Sequence, residues 1–489
     1  MKKLFVTLSV LVALICLLAA CENESPNVHT HSYGEWSVTR ESTCARKGEE
    51  QRACSCGEYE ARAIPAVKIH TWGTDNICTV CRLALKYTKG LSFELSDDGS
   101  YYSLSGIGTA KEDEIVVPFY YEGKPVKRIA NSAFSSPKLD SFVTAIAIPD
   151  IVTEIGPSAF AHCTKLETVT FGEKSGLERI GSSAFSQCHR LQAIVLPDSL
   201  TSIEGYAFHN CVALSSVTMP KSVTRIGEQA FSRCETLKSI TLPDSLIEIG
   251  FEVFEGCSAL RATVFENGEY LGSDENPYLY LRGVADTTVT SFRVLETTRF
   301  IGKDAFADCL KLTEVHIPDL VLWCKMQLEG FTANPLYMAK NLYVDGELVT
   351  HLEIPSTVTR IADGAFAGCT SIVSVSIPMG VTEIGTAAFS GCTALQSVLI
   401  QESVLDIGDF VFKGCTSMTS VVIPKSVVSI GSGAFRGCSL LTAVTFANAS
   451  GWRIGEGMHM PPADFTDPAK AAEYLTSIYY DSQWKRTEE

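Results

Sequence analysis

The sequence predicts an α/β-type repeat solenoid, a right-handed array of coils in which short parallel strands alternate with tight helical turns. Three observations predict it. The stretch Val223 to Ser245 is 23 residues long, and its Phe231 has counterparts at Phe160, Phe185, Phe208, Phe254, Phe306, Phe366, Phe389, Phe412 and Phe435, with a weaker one at Phe134. Most steps between them are 23 residues, a period in the solenoid range. The apolar positions Val223, Ile226, Ala230, Phe231, Cys234, Leu237, Ile240 and Leu242 recur in phase. No single copy has the apolar surface to close a core, so each coil must use its neighbours as walls and the stack should bury one continuous core.

Each part of the coil has a physical reading. Leu237-x-x-Ile240-x-Leu242 ends in the alternation of a short strand, with Ser239 and Thr241 pointing the other way. Pro243 has no N–H and ends the pairing. A second extended piece runs from Leu246 to Ile249, and Gly250 suits a corner that needs positive φ, although Glu204 and Ala362 hold that place in two copies. Ala-Phe-x-x-Cys then reads as a helical turn with phenylalanine and cysteine inward. Parallel strands stacked at roughly 4.8 Å would make about eleven coils on the order of 50–60 Å long.

Along the chain, Lys2-Lys3 precedes an apolar run from Leu4 to Ala20 that ends Leu18-Ala19-Ala20-Cys21, the form of a secretory signal over residues 1–20. With cysteine directly after Ala-Ala it resembles the bacterial lipoprotein signal, which implies cleavage before Cys21, acylation of Cys21, and membrane attachment through the lipid alone. Residues 21–28 read as a polar tether.

Residues 29–82 form a small unit marked by His29, His31, Trp36, Cys44, Cys54, Cys56, His70, Trp72, Cys78 and Cys81. A unit this small needs staples. Disulfides suit an exported chain but leave one of five cysteines over. A structural zinc held by members of the set Cys44, Cys54, Cys56, His70, Cys78 and Cys81 accommodates the odd count, with Cys78-x-x-Cys81 as a half-site. The His31/Trp36/Cys54 order, echoed by His70/Trp72/Cys78, resembles a His/Trp/Cys-rich repeat at the N-terminus of secreted bacterial surface proteins. Its Cys54-x-Cys56 departs from the Cys-x-x-Cys of that repeat.

Residues 83–129 read as an N-terminal cap. Leu91 to Leu95, a turn at Asp98-Gly99 and Tyr101 to Leu104 make a hairpin that would cover the open end of the first coil. Repeats occupy 130–446. Residues 447–489 form a C-terminal cap, with Trp452, Pro461-Pro462 and a helix from Pro468 to Ile478 begun by Asp467. Two steps break the beat: Phe254 to Phe306 is 52 residues and Phe306 to Phe366 is 60. These inserts read first as coils with longer arcs and their aromatics packed inward. The competing reading makes Tyr278, Tyr280, Trp323 and Tyr337 exposed anchors.

The pattern I-G-x-x-A-F-x-x-C-x-x-L-x-x-V-x-I-P resembles the BspA-like leucine-rich-repeat surface proteins. That resemblance implies an exported, lipid-anchored protein at the bacterial cell surface that binds host matrix proteins or other cells. The period by itself implies only a scaffold. The formal charge is −16, and −18 without the first twenty residues, which carry Lys2 and Lys3 and no acid. Such a surface repels nucleic acid and anionic lipid.

No G-x-S-x-G elbow, HExxH, phosphate loop or EF-hand pattern occurs, so the chain reads as a non-enzyme that requires no cofactor. A hydrolase with a site built across coils ranks last. The candidate recognition surface is the outer strand face, where Thr168, Thr170, Ser216, Thr218, Ser239, Thr241, Ser374, Ser376, Ser420 and Thr445 line up from coil to coil. A flat lattice of hydroxyls suits a protein partner, since little reordering is needed to dock. The same residues also suit solvent-facing strands by β-propensity alone. Glycan capture by the insert aromatics is the alternative.

Overall fold

A computed structural model describes residues 33–40, 42, 47–55, 57–65, 71–80, 83–135, 142–455, 458–459 and 462–486. They fall into two compact units, one of residues up to 71 together with 78–83, the other of 72–77 together with 84–489. The signal, Cys21, Cys44, Cys56, His70 and Cys81 lie outside the described residues.

The smaller unit is an antiparallel sheet of Ser37–Arg40, Gly48–Ala53 and Tyr59–Ile64. Cross-strand ion pairs Arg52–Glu60 and Arg62–Glu50 hold it, and both guanidiniums also lie over the Trp36 ring, 4.8 and 4.2 Å from its centroid. Trp36 therefore covers apolar area that a three-stranded sheet cannot bury alone. Cys54 and Cys78 are both buried in this unit.

The larger unit is a β-solenoid of about 15 turns of about 23 residues. The count exceeds eleven because the caps and both inserts keep coiling. Each regular coil supplies two short strands. The two-residue strands that end in the Ile of Ile-Gly stack in parallel register, as in Arg179–Ile180, Ser202–Ile203, Arg225–Ile226 and Glu248–Ile249. The Val-x-Ile strands form a second parallel ladder, as in Ala193–Val195, Ser216–Thr218 and Ser239–Ile240. The expected hairpin is present as Ser92–Leu95 against Tyr102–Gly106, antiparallel at the end of the first ladder. At the far end Asp467 caps the helix Pro468–Glu473, which continues as the wider turn Tyr474–Ile478. Strand Trp484–Arg486 pairs antiparallel with Ser429–Ile430 and so covers the last open edge of the later ladder of these strands, which starts at Arg360–Ile361.

Between coils the phenylalanines stack face to face, with ring centroids 5.0 to 5.2 Å apart from Phe134 through Phe231. Phe366, Phe389, Phe412 and Phe435 repeat the stack. Beside them runs a ladder of cysteines that are thiols rather than disulfides. Cys234 Sγ donates to the carbonyl of Phe208 at 3.2 Å, Cys257 to that of Phe231 at 3.1 Å and Cys415 to that of Phe389 at 3.3 Å. Cysteine fits because it is small and apolar yet carries a weak donor, which uses the second lone pair of a buried carbonyl. Burial pushes the Cys211 thiol up to about 12, so it stays protonated.

Three expectations need correction. The turn after Ile-Gly is not helical: it is a pair of tight turns with two left-handed residues per coil, such as Gln229 at φ 50° and Arg233 at φ 59°. The later coils place glycine at the second of these, with φ 75° at Gly391. Among the described residues helix is confined to the second insert and the C-terminal cap, so the array is nearly all β. Gly250 has no positive φ, and glycine is needed there because the coils touch. A Cβ on Gly250 would fall 2.2 Å from Glu228 N, and one on Gly227 2.3 Å from Gly205 N. Ala362 is accommodated where the neighbouring rung is no longer an Ile-Gly strand but the carbonyl of Cys324, which accepts from Ala362 N at 2.7 Å. The core, finally, is two clusters that divide in the first insert, with Tyr280 in one and Leu281 in the other.

Gly227→Ala should therefore destabilise by about 1–3 kcal/mol through overpacking. Gly391→Ala, which meets only the cost of a left-handed backbone, should lose about 1–2 kcal/mol. Urea unfolding of the two variants measures both, and an unchanged midpoint for Gly227→Ala would contradict the close-contact reading.

Candidate interaction surfaces

The strand face follows from the alternation of the Val-x-Ile strands, which sends Val217 and Ile240 into the core and their neighbours outward. All ten hydroxyl residues anticipated there face outward. Thr168, Thr170, Ser216, Thr218, Ser239, Thr241, Ser420 and Thr445 are exposed, and Ser374 and Ser376 half-buried. Register shows that the strip is not continuous. Ala193 and Val195 interrupt it between Thr168–Phe171 and Ser216–Thr218. Among the later coils the column through Glu353 and Ser376 continues into exposed Leu399, and exposed Val422 pairs with Thr445. In the middle coils Arg293, His316 and Tyr343 stand in register, with the His316 and Tyr343 rings stacked at 4.8 Å. At His351 the ring Nδ1 lies 2.7 Å from Ser374 Oγ. No carboxylate is bonded to the other ring nitrogen among the described residues, so the pair lacks the third group that would orient a catalytic base.

The opposite ladder carries a row of ions just before Ile in most coils, with Ser202 and Ser429 as exceptions, and Glu204 joins the row from the place after Ile203. Glu154 bridges Arg128 at 3.1 Å and Arg179 at 3.0 Å, and Arg179 reaches Glu204 at 3.1 Å. Arg225 pairs Glu248 at 3.1 Å and Arg360 pairs Glu383 at 2.9 Å. Each such surface pair contributes only about 0–1 kcal/mol, so the row chiefly disfavours misregister. Its sequence signal is the Arg or Glu that precedes Ile in most coils.

The inserts do not form four aromatic anchors. Tyr280 and Trp323 are 3% and 1% exposed. Tyr280 takes the place of the next phenylalanine against Phe254, ring centroids 5.6 Å apart, and Trp323 Nε1 donates to Ala365 O at 2.8 Å. Both belong to the core, because the insert coils lack the repeat phenylalanine and need another large ring. Tyr278 is half-buried and stacks on Phe265 at 4.8 Å. Only Tyr337 stands well out, at 46% exposure, with Phe331 at 56% and Phe251 at 44% close by. Phe251 occupies a position that is polar in the neighbouring coils, as Ser182, Glu228 and Asp363 show.

This aromatic patch borders a seam. The first ladder of Ile-Gly strands ends at Glu248–Ile249, a separate short ladder pairs Tyr280–Val284, Phe300–Ile301 and Gln327–Leu328, and a third begins at Arg360–Ile361. A cleft of 590 Å³ lies over the segment between the first and the third, lined by Ile247, Phe251, Met326, Leu328 and Arg360 among others. Side chains stand in for the missing strand. The Gln327 carboxamide acts as one peptide group, its Nε2 donating to Ile247 O at 2.6 Å and its Oε1 accepting from Ile249 N at 3.4 Å. The buried Glu329 carboxylate accepts from Tyr280 Oη at 3.0 Å, Glu252 N at 3.0 Å and Lys303 N at 3.2 Å. Burial pushes Glu329 up to about 7 against the pull of those donors. Sequence reading missed Gln327 and Glu329, whose only signal is Gln327-Leu-Glu-Gly330 where a regular coil has Ile-Gly.

Among the described residues there is no cluster of three metal-ligating side chains, and no helix is long and apolar enough to cross a membrane.

The model of the BspA type leucine rich repeat region matches residues 127–261, 284–327 and 338–456 in six copies, more than half of the chain. No curated protein matches. Among solved structures, a leucine rich cell surface protein from Faecalibacterium prausnitzii is 26% identical over 74% of this chain and 89% of its own, with a TM-score of 0.31. A leucine-rich repeat protein from Bacteroides ovatus is 26% identical over 74% and 94%, TM-score 0.32. The pneumococcal vaccine antigen PcpA is 18% identical over 75% and 82%, TM-score 0.31. BspA-like leucine-rich-repeat proteins are bacterial cell-surface proteins, and repeat proteins of this kind are usually non-enzymatic scaffolds that bind protein partners. On the repeat match and the coil geometry, the chain belongs to the BspA-type leucine-rich-repeat family.

Proposed function

We propose that this protein is a surface adhesin, held at the cell surface by a lipid on Cys21, that recognises protein partners such as host matrix proteins or other cells through its strand face. The observation that carries the reading is the chemistry of that face. Over the regular coils its outward residues are almost all uncharged, on a chain whose net charge is −16. A partner docks there with little desolvation of charge and little reordering. The middle coils add Arg293, His316 and Tyr343, and arginine and tyrosine are residue types that commonly carry binding energy at interfaces.

A second reading rests on the seam patch, where exposed Phe251, Phe331 and Tyr337 would serve as stacking platforms for a glycan.

Two outcomes follow. Lipid labelling should be lost when Cys21→Ser is expressed, with the precursor left uncut or the protein released to the medium; undiminished labelling removes the anchor from the account. On an array of matrix proteins and glycans, strand-face binding predicts protein capture reduced at least about tenfold by Thr218→Lys and unaffected by Phe331→Ala with Tyr337→Ala. Glycan capture lost only with the aromatics would favour the second reading, and turnover of a substrate would overturn both.

A further inference from the structure

Glu329 sits where the two hydrophobic clusters of the repeat unit approach each other, beneath the 590 Å³ cleft, and its carboxyl joins three segments far apart in sequence. Tyr280 Oη reaches one oxygen, and the backbone N–H groups of Glu252 and Lys303 both reach the other. The surrounding charges do not neutralise it. Lys303 Nζ is engaged by Glu252 at 2.5 Å, and Asp304 lies 4.0 Å from the same ammonium. Glu252 is itself an anion beside Glu329, and Arg282, on the strand Tyr280–Val284, donates to Leu260 O. Glu329 makes no ion pair among the described residues. The three donors supply hydrogen bonds but no counter-charge, and a protonated carboxyl still keeps both N–H groups on one oxygen. An ionised one places an uncompensated charge in a buried site.

We infer that Glu329 is a proton-operated latch, closed when the carboxyl is protonated, that clips the 324–337 segment and its exposed aromatics onto the last coil of the N-terminal half. On ionisation the carboxylate gains by reaching water through the cleft, and its departure releases Tyr280, Glu252 N–H and Lys303 N–H together. The direction follows from linkage. The closed-state value, about 7, lies above the ordinary 4.5 of an open glutamate. The stabilisation is therefore complete below about 4.5 and is lost as pH rises through about 7. Aromatics held by the closed latch are presented as one rigid patch in mild acid and loosen above neutrality.

Hydrogen exchange of the full-length protein tests this in peptides covering 247–256, 299–306 and 324–337, corrected for intrinsic rate. The opening constant of these segments should rise by up to about a hundredfold between pH 5 and 8, while a peptide from the regular coils around Val375 stays flat. Glu329→Gln, neutral at every pH, should flatten the profile at the seam. Tyr280→Phe keeps the ring against Phe254 but removes a hydroxyl that favours the ionised form, and it should move the rise to higher pH. A flat wild-type profile at the seam overturns the latch, as does a rise that survives in Glu329→Gln or is unmoved in Tyr280→Phe.

Discussion

The close approach of successive coils at the Ile-Gly corner is the constraint on which the rest of the repeat unit depends. With Gly250 against Glu228 and Gly227 against Gly205, the backbone stacks with no room for a Cβ. Everything else in the coil is sized to that approach. Phenylalanine rings at 5.0 to 5.2 Å fill the interior without gaps, and cysteine is small enough to sit between turns while its thiol serves a carbonyl of the coil before. Two left-handed residues per turn return the chain within the same height. The earlier coils put glutamine, asparagine or arginine in left-handed geometry where later coils use glycine, so the two halves meet the same demand at different backbone cost.

A stack built on exact repetition has a weak point wherever the repetition fails, and the inserts are that point. With no strand paired to the open edge of Glu248–Ile249, peptide groups of the last regular coil would face a cleft. Gln327 and Glu329 answer them with side chains, and Tyr280 replaces the phenylalanine. Substituting side chains for backbone introduces a carboxyl into the core, where the regular rungs bury only a thiol that burial keeps protonated. The exposed aromatics Phe251, Phe331 and Tyr337 gather at the same seam, so the irregular coils differ from the regular ones in surface as well as in core.

Much of this was legible in the residues. Period 23, the Phe and Cys ladders, the outward hydroxyls of the strand face, the hairpin before the first coil and the Asp467 cap all follow from local pattern, because each is a short-range consequence of a repeated sequence. What pattern could not supply was contact between positions far apart. The reason for Gly250 lies in the coil beneath it, and the fate of Tyr280 and Trp323 depended on which neighbours lacked a ring. Glu329 joins residues from 252 to 303, a relation with no periodic trace. The turn was misread for a different reason: Ala-Phe-x-x-Cys has helical spacing, but one turn between two strands is too short to propagate, and paired left-handed residues close it more tightly.

If each coil is an interchangeable rung held only by its neighbours, the array should tolerate loss of a whole rung and not of part of one. Deleting Val223–Ser245, one period of 23 residues, brings Leu246 into the place of Val223 with every ladder in phase. Deleting Val223–Cys234 removes about half a period and sends core positions to the surface. Circular dichroism and urea unfolding of the two deletions decide the matter. The account predicts native-like β signal and cooperative unfolding for the full-period deletion, with collapse of both for the half-period one. Equal damage from the two would contradict it.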